Sequence, residues 1–218
     1  MRARGLRPAQ RFPHRRPRLA CWETLPPEQI SVRSVFFDMN STFIATLALV
    51  GGLAPTQDVV LPGKPAPHFA GKLTTGKQFD LTIAAKEKPV LVFFISTTCP
   101  VTSEATKFYD RISKAYAKHG VTVVGVVNDA KKGYDAWQKI HKTSFGSLLD
   151  PDYKVITAFG VYASPTTILV APGGKVEKVW IGYGQKELKS ANEGIAKLLG
   201  KPVAKVDLAG APTETALG

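Results

Sequence analysis

Val90–Ile95 is an uninterrupted apolar run, and the dipeptide Cys99-Pro100 follows it after three polar residues. The run is rich in β-branched and aromatic residues and shows no polar alternation, which is typical of a strand buried on both faces of a sheet with parallel neighbours. Proline is favoured at the first position of a helix. Apolar residues then recur every three or four positions over 101–118, which predicts an amphipathic helix. The sequence therefore predicts a strand and a helix with a cysteine at their junction.

Further strands and helices are predicted on both sides of this unit. Before it, two short extended runs joined at Thr75-Gly76 predict a hairpin. After it, apolar runs, helical spacing and a glycine-rich turn predict, in order, a strand at 121–127, a helix marked by Tyr134, Trp137 and Ile140, a short strand at 147–149, a helical turn at 152–159, a strand at 166–170, a turn at 172–174, an antiparallel strand at 176–181 and a helix at 185–199. This order predicts an α/β three-layer sandwich in which helices flank a mixed central sheet. We expect the folded domain to span 58–200 and to be followed by a flexible tail at 201–218.

The basic residues are divided unevenly along the chain. Segment 1–38 contains every arginine except Arg111, contains no lysine, and has several prolines without a sustained hydrophobic period, so it is expected to be disordered. Three interpretations of this segment are open. It is an organelle presequence, a basic arm that binds nucleic acid, or a stretch that precedes a true translation start at Met39. Because no folded module accompanies these charges, the formal net charge of +12 does not predict a nucleic-acid partner.

Segment 39–57 contains an apolar stretch from 43 to 54 that carries no charged residue. Its length is typical of the hydrophobic part of a secretory signal and is short for a membrane span. The segment is interpreted as a signal peptide or a membrane anchor, with a buried helix as the alternative. We therefore expect an extracytoplasmic protein, periplasmic, secreted or membrane-anchored, which contacts a membrane only through this segment.

The chain has two cysteines, Cys21 and Cys99. If the N-terminal segment is removed or never made, Cys99 is left alone, and neither an internal disulfide nor a cysteine-rich metal site can form. We expect no metal site and no cofactor. Cys99 lies where a strand ends and a helix begins, so free amides and the helix dipole favour its thiolate, the nucleophilic form. An exposed, reactive sulfur is therefore predicted, and a small buried apolar residue is the structural alternative.

Several segments together resemble one known family. They read GKPAPHF (63–69), LTTGKQFDL (73–81), VFFISTTCPVT (92–102), VTVVGVV (121–127), FGVYASPTTILV (159–170) and PGGKV (172–176). In order and spacing they resemble the redoxin (AhpC/TSA-type) branch of the thioredoxin-like superfamily, particularly exported ResA/TlpA-like thiol-disulfide proteins. The resemblance implies a thioredoxin-like fold, a catalytic role for Cys99, and a cis peptide bond at Ser164-Pro165 whose preceding residue pairs with an extended substrate. Pro100, Ser164 and Pro165 are the substrate-binding residues expected on this basis.

The chain departs from that family three residues after Cys99. Members that exchange a dithiol for a disulfide carry Cys-X-X-Cys, whereas residues 99–102 read Cys-Pro-Val-Thr. Thr102 has no thiol with which to resolve a mixed disulfide, but its hydroxyl is one helical turn away and is expected to stabilise the thiolate, or else to serve only as a first-turn residue. The predicted activity is therefore that of a monothiol thiol-disulfide oxidoreductase. Its partners are a protein or low-molecular-weight thiol or disulfide and an external thiol reductant.

Three other functions are considered. A one-cysteine peroxidase of the peroxiredoxin type is compatible with Ser96, but the family's proline is replaced by Val92 and no arginine follows Arg111. A copper chaperone needs a second thiol and a distant histidine, and no histidine follows His141. A thioredoxin-like scaffold that binds a partner near Pro165 without catalysis is the third alternative.

Overall fold

The computed structural model describes residues 59–218, so the predictions made for 1–38 and 39–57 lie outside the described part of the chain. The described chain begins with a loop and then forms an antiparallel hairpin of β1 (Ala70–Lys72) and β2 (Gln78–Asp80). Gly76 makes the turn with a φ of 84°, a left-handed conformation that glycine adopts without steric cost. The predicted N-terminal hairpin is confirmed.

The short helix α1 (Leu81–Ala84) follows the hairpin directly and leads to the central sheet. The sheet has five strands: β3 (Val90–Ile95), β4 (Thr122–Val127), β5 (Ser147–Leu149), β6 (Thr166–Val170) and β7 (Val176–Ile181). Their spatial order is β5-β4-β3-β6-β7. β3, β4 and β5 run parallel, whereas β6 is antiparallel to β3 and β7 to β6, so the predicted mixed sheet is confirmed.

β3 is the central strand of this sheet, and all six of its side chains are buried. Side chains alternate across a strand. Leu91, Phe93 and Ile95 therefore pack into the core on one face, while Val90, Val92 and Phe94 pack into the core on the other. Burial on both faces explains why the sequence shows no polar alternation in this strand.

Four further helices complete the layers: α2 (Pro100–Tyr116), α3 (Lys131–His141), α4 (Lys154–Ala158) and α5 (Gln185–Leu199). Apolar side chains of α2, α3 and α5 pack with Phe93, and those of α1 and α4 pack with Phe94. The helices therefore cover both faces of the sheet, as predicted. Within residues 59–218, none of them combines the length and apolar content that crossing a bilayer requires.

Segment 201–218 differs from the flexible tail that the sequence analysis expects. Ala204, Val206 and Leu208 pack against the core formed by α2 and α5, and residues between them are exposed. The amide of Ala204 donates a hydrogen bond to the Tyr116 hydroxyl at 3.1 Å. Farther along, Ala216 pairs with Tyr183 in an antiparallel bridge. The apolar side chains at 204, 206 and 208 thus pack this segment against the surface of the domain.

The carboxylate of Asp110 joins α2 to the loop after α3. Its Oδ1 accepts hydrogen bonds from the Ser144 amide at 2.6 Å and the Ser144 hydroxyl at 2.7 Å, and its Oδ2 lies 2.6 Å from Lys114 Nζ. Burial opposes ionisation, but the hydrogen bond and charge of Lys114 and the two Ser144 bonds outweigh it, so the pKa of Asp110 lies below its ordinary value of 3.8. A carboxylate with a lowered folded-state pKa stabilises the fold above the unfolded pKa, and this stabilisation is lost as pH falls through the folded value.

We therefore expect Asp110→Asn to lower the free energy of unfolding by about 1–3 kcal/mol near pH 6, the usual cost of removing charged hydrogen bonds. The difference from the parent should be smaller at pH 3, which lies below the ordinary carboxyl pKa of 3.8 that applies to the unfolded chain. Urea unfolding at the two pH values measures it, and Asp152→Asn, at a side chain that is 70% exposed, is the matched control. A difference that does not change with pH would contradict the assignment.

Candidate active site

Cys99 lies at the junction of β3 and α2 that the sequence predicts. It is the N-cap of α2, with an extended backbone (φ −85°, ψ 117°), and Pro100 is the first helical residue. The Cys99 carbonyl accepts a hydrogen bond from the Ser103 amide at 3.1 Å. The amides of 101 and 102 belong to the first helical turn and have no acceptor within the helix. The side chain of Cys99 is therefore next to the positive end of the α2 dipole.

The loop before β6 brings Ser164 against this cysteine. The peptide bond between Ser164 and Pro165 is cis, as the resemblance implies. Cys99 Sγ donates a hydrogen bond to the Ser164 carbonyl oxygen over 3.6 Å. The structure thus brings together Cys99 and the Ser164-Pro165 loop, which the sequence analysis singled out as candidate site residues. Because a thiolate has no hydrogen to donate, this contact belongs to the protonated thiol.

Thr102 contacts Ser164 and not the sulfur of Cys99. The two hydroxyl oxygens lie 2.6 Å apart, and Ser164 Oγ also accepts a hydrogen bond from the Ser96 amide at 3.2 Å. All three residues are fully buried. The expected direct hydrogen bond from Thr102 to the sulfur is therefore replaced by an indirect link. Through these two hydrogen bonds the Ser164 hydroxyl connects the loop before β6 to the end of β3 and to the first turn of α2.

The sulfur is covered, which corrects the expectation of an exposed thiol. Cys99 has 0% of its surface exposed, and Pro165 is also buried. Pro100 is exposed beside it, and Tyr162 is 60% exposed in the loop before the cis bond. The sulfur is turned toward Ser164, and the Gly218 amide at the end of segment 201–218 donates a hydrogen bond to the same Ser164 carbonyl at 3.1 Å.

A second polar group, which sequence reasoning missed, shapes the loop between β3 and Cys99. Thr97 Oγ1 donates to Asp129 Oδ2 at 2.8 Å, and the Thr97 amide donates to Asn128 Oδ1 at 3.3 Å. Asn128 and Asp129 directly follow β4, the parallel neighbour of β3. Because the carboxyl ends of parallel strands meet at one edge of a sheet, their position after a buried run was the available signal. These bonds fix the path of the chain into Cys99.

Glu104, one turn into α2, interacts with Tyr183 and not with the cysteine. The buried Tyr183 hydroxyl donates to Glu104 Oε2 at 3.1 Å. Burial, together with the hydrogen bond and charge of Glu104, raises the pKa of Tyr183 to about 12. The tyrosine therefore remains a neutral hydrogen-bond donor at physiological pH, and it connects α2 to the loop after β7.

Metal binding was also considered within residues 59–218. No cluster of three or more His, Cys, Asp or Glu side chains in that range is arranged to hold a metal ion, and Cys99 is the free cysteine there.

Comparison with protein-family models matches residues 62–179 to the AhpC/TSA family. The match runs from the loop before the hairpin into β7 and contains Cys99, Thr102 and the Ser164–Pro165 loop. The chain belongs to the AhpC/TSA family. The recognition made from the sequence is therefore confirmed.

Two curated relatives of this AhpC/TSA protein are thiol-disulfide proteins. Thiol-disulfide oxidoreductase ResA of Bacillus subtilis (strain 168) is 32% identical over 127 residues, which cover 58% of this chain and 70% of ResA. Thiol:disulfide interchange protein DsbE of Yersinia pestis is 30% identical over 132 residues, which cover 57% of this chain and 67% of DsbE.

Solved structures support the same fold for this AhpC/TSA chain. A thiol:disulfide interchange protein of the thioredoxin family from Chlorobium tepidum TLS is 26% identical and superimposes with a TM-score of 0.54. The superposition covers 65% of this chain and 99% of that one. The predicted thioredoxin-like architecture is thus confirmed.

Proposed function

We propose that this protein is a monothiol thiol-disulfide oxidoreductase of the ResA/DsbE type, in which Cys99 Sγ is the nucleophile. The observation that carries the proposal is the position of Sγ at the N-terminus of α2, 3.6 Å from the Ser164 carbonyl and beside the cis bond to Pro165. Family membership and the ResA and DsbE relatives support the same class of chemistry.

The reactive form is the thiolate. The dipole of a 17-residue helix and its free first-turn amides lie beside Sγ, an arrangement that supports the thiolate as the nucleophile. Sγ is fully buried and donates to the Ser164 carbonyl, so we propose that the site must open before the sulfur reacts with substrate.

The reaction is two successive thiol–disulfide exchanges. The Cys99 thiolate attacks one sulfur of a disulfide R–S–S–R′, forming a Cys99–S–S–R bond while R′–S⁻ departs and takes up a proton. Because Thr102 supplies no thiol, an external thiolate R″–S⁻ then attacks the R sulfur. That step releases R–S–S–R″ and restores Cys99 as a thiolate, so the substrate disulfide is exchanged without any net change in the enzyme.

The backbone beside Cys99 supports an extended segment as the substrate once the sulfur is uncovered. The Ser164 carbonyl is a backbone acceptor next to the sulfur, and exposed Pro100 lies at the rim on the α2 side. A peptide strand that carries a disulfide, or a small disulfide such as oxidised glutathione, fits these requirements. The proposed partners are accordingly a protein or low-molecular-weight disulfide and an external thiol reductant.

Trapping the mixed disulfide tests this proposal. Full-length protein with Cys21→Ser is incubated with oxidised glutathione, and its intact mass should increase by one glutathionyl group located on Cys99. The matched variant carries Cys99→Ser in the same Cys21→Ser background; it should show no adduct and should lose at least about a hundredfold in exchange rate, because a serine hydroxyl does not attack disulfides at neutral pH. An equal exchange rate in Cys99→Ser would refute the proposal.

The two alternatives give different outcomes in the same samples. A peroxidase would convert Cys99 to a sulfenic acid with dilute peroxide faster than it accepts glutathione. A binding module would react with neither, and Cys99→Ser would bind its partner unchanged. Intact mass of the protein from its native host also reports whether 1–38 and 39–57 are retained, which tests the proposed signal or anchor and the extracytoplasmic location.

A further inference from the structure

Residues 211–218, here named the strap, lie along the loop that follows β7 and end beside the cysteine site. The Tyr183 amide donates to the Ala216 carbonyl at 3.0 Å, and the Ala216 amide donates to the Tyr183 carbonyl at 2.8 Å. Two residues on, the amide of Gly218 donates to the Ser164 carbonyl at 3.1 Å. The strap therefore pairs with Tyr183 in an antiparallel bridge, and its Gly218 amide binds the residue that precedes the cis bond.

The strap is fitted closely to this surface. A Cβ placed on Gly182, whose φ is 83°, would lie 2.5 Å from the Ala216 carbonyl oxygen. The Gln185 amide donates to the Pro212 carbonyl at 2.8 Å, and the Thr215 hydroxyl donates to Glu187 Oε1 at 2.9 Å. Glycine at 182 thus permits a backbone approach that any side chain would prevent.

Both hydrogen bonds that the Ser164 carbonyl accepts come from the chain itself, one from Cys99 Sγ and one from the Gly218 amide. A carbonyl oxygen has two lone pairs, so none remains for a substrate strand. Cys99 is fully covered in this arrangement. An extended substrate that pairs with Ser164 must therefore first displace the end of the strap.

We propose that the strap is an internal competitor of the disulfide substrate, which keeps Cys99 inaccessible while docked and admits substrate when it detaches. The proposal rests on the proposed function, since it regulates the same site. Detachment does not require unfolding of the domain. The side chains of Thr213, Glu214, Thr215 and Leu217 are exposed, and segments held mainly by exposed backbone hydrogen bonds open locally at low cost.

Alkylation of Cys99 by iodoacetamide tests the strap without any disulfide substrate. In a full-length Cys21→Ser background, Ala216→Pro removes the amide that donates to Tyr183, whereas Ala216→Ser at the same position keeps it. We expect at least about a tenfold faster alkylation in Ala216→Pro, because the strap spends more time detached, and a rate in Ala216→Ser close to that of the parent. Thermal unfolding of each variant checks that the domain remains folded.

A second variant that ends at Gly210 removes the strap completely and should alkylate at least as fast as Ala216→Pro. An alkylation rate equal to that of the parent in this folded, shortened variant would overturn the proposal. The outcomes separate the two proposals. Faster alkylation without a glutathionyl adduct would support the role of the strap and contradict the proposed oxidoreductase function. An adduct that forms equally fast in all variants would support the oxidoreductase function and contradict the role of the strap.

Discussion

Replacing Thr102 with cysteine is expected to convert the proposed monothiol site into a dithiol site. The variant should form a disulfide between residues 99 and 102 on oxidation, and its mixed disulfide with glutathione should disappear at least about a hundredfold faster than that of the parent. The reason is proximity: an internal thiolate acts at an effective concentration far above that of a millimolar external thiol.

The structure supplies the geometry that this change needs. Cys99 is the N-cap of α2 and Thr102 is the third helical residue, so the two side chains lie on the same side of the first turn. Residues three apart in a helix lie roughly 5–6 Å apart at Cβ, and modest backbone adjustment brings them to disulfide distance. Thr102 is buried beside Ser164, and cysteine is close to threonine in size.

The measurement is the lifetime of the glutathionyl adduct, followed by intact mass after oxidised glutathione is added in the Cys21→Ser background. Thr102→Ser is the matched control because it keeps a hydroxyl near Ser164 and adds no thiol, and its adduct should persist as in the parent. An adduct of unchanged lifetime in Thr102→Cys would show that residue 102 does not reach the reacting sulfur.

Truncating Phe93 to alanine should destabilise the fold more than any other single change considered. Phe93 is fully buried in the middle of β3, and its ring centroid lies 4.4 Å from that of Tyr109 and 6.2 Å from that of Phe145. Removing a buried phenylalanine side chain leaves a cavity and typically costs about 3–5 kcal/mol. We expect a loss of this size in the free energy of unfolding, measured by urea denaturation.

The matched control for Phe93→Ala is Ile140→Ala on α3, where the parent side chain is 76% exposed. Exposed positions usually change stability by less than about 0.5 kcal/mol. A loss below about 1.5 kcal/mol in Phe93→Ala, which is below the usual range for a buried aromatic residue, would mean that the two faces of the sheet are packed more loosely than the structure indicates.

The central strands and helices could be predicted from sequence because their signals are local. β3 and β4 are continuous apolar runs, and α2 begins at a proline after the predicted cysteine cap. The helix α3 was predicted from Tyr134, Trp137 and Ile140, of which the first two are buried and Ile140 is 76% exposed. In the structure Trp137 is followed on that side by His141, whose ring centroid lies 4.5 Å away, and Ile140 faces outward.

The site could be predicted only in part, because its contacts join residues that are far apart in sequence. Cys99 and Ser164 were identified from local patterns and from the family resemblance, and the structure places them together. The partner of Thr102 could not be read from the helix that carries it, since Ser164 comes from another segment. The interaction of Thr97 with Asp129 depends likewise on the pairing of β3 with β4.

Segment 201–218 was missed because no stretch of it is apolar enough to predict an element. Its partly buried apolar residues at 204, 206 and 208 alternate with exposed ones, and their burial depends on packing against the core that contains α2 and α5. The pairing of Ala216 with Tyr183 also requires the close approach at Gly182. Such a segment acquires its structure from tertiary contacts, which sequence periodicity does not report.

Because Cys99 is fully buried and its sulfur is hydrogen-bonded to Ser164, the rate at which it is labelled reports how often the domain opens. The ratio of its labelling rate in native buffer to that in concentrated denaturant gives an opening equilibrium constant. If small amounts of urea leave this ratio unchanged, the opening exposes little surface and is confined to a local region; if the ratio rises steeply, the whole domain takes part. One thiol thus allows the motion at the site and the cooperativity of the fold to be followed in the same molecule.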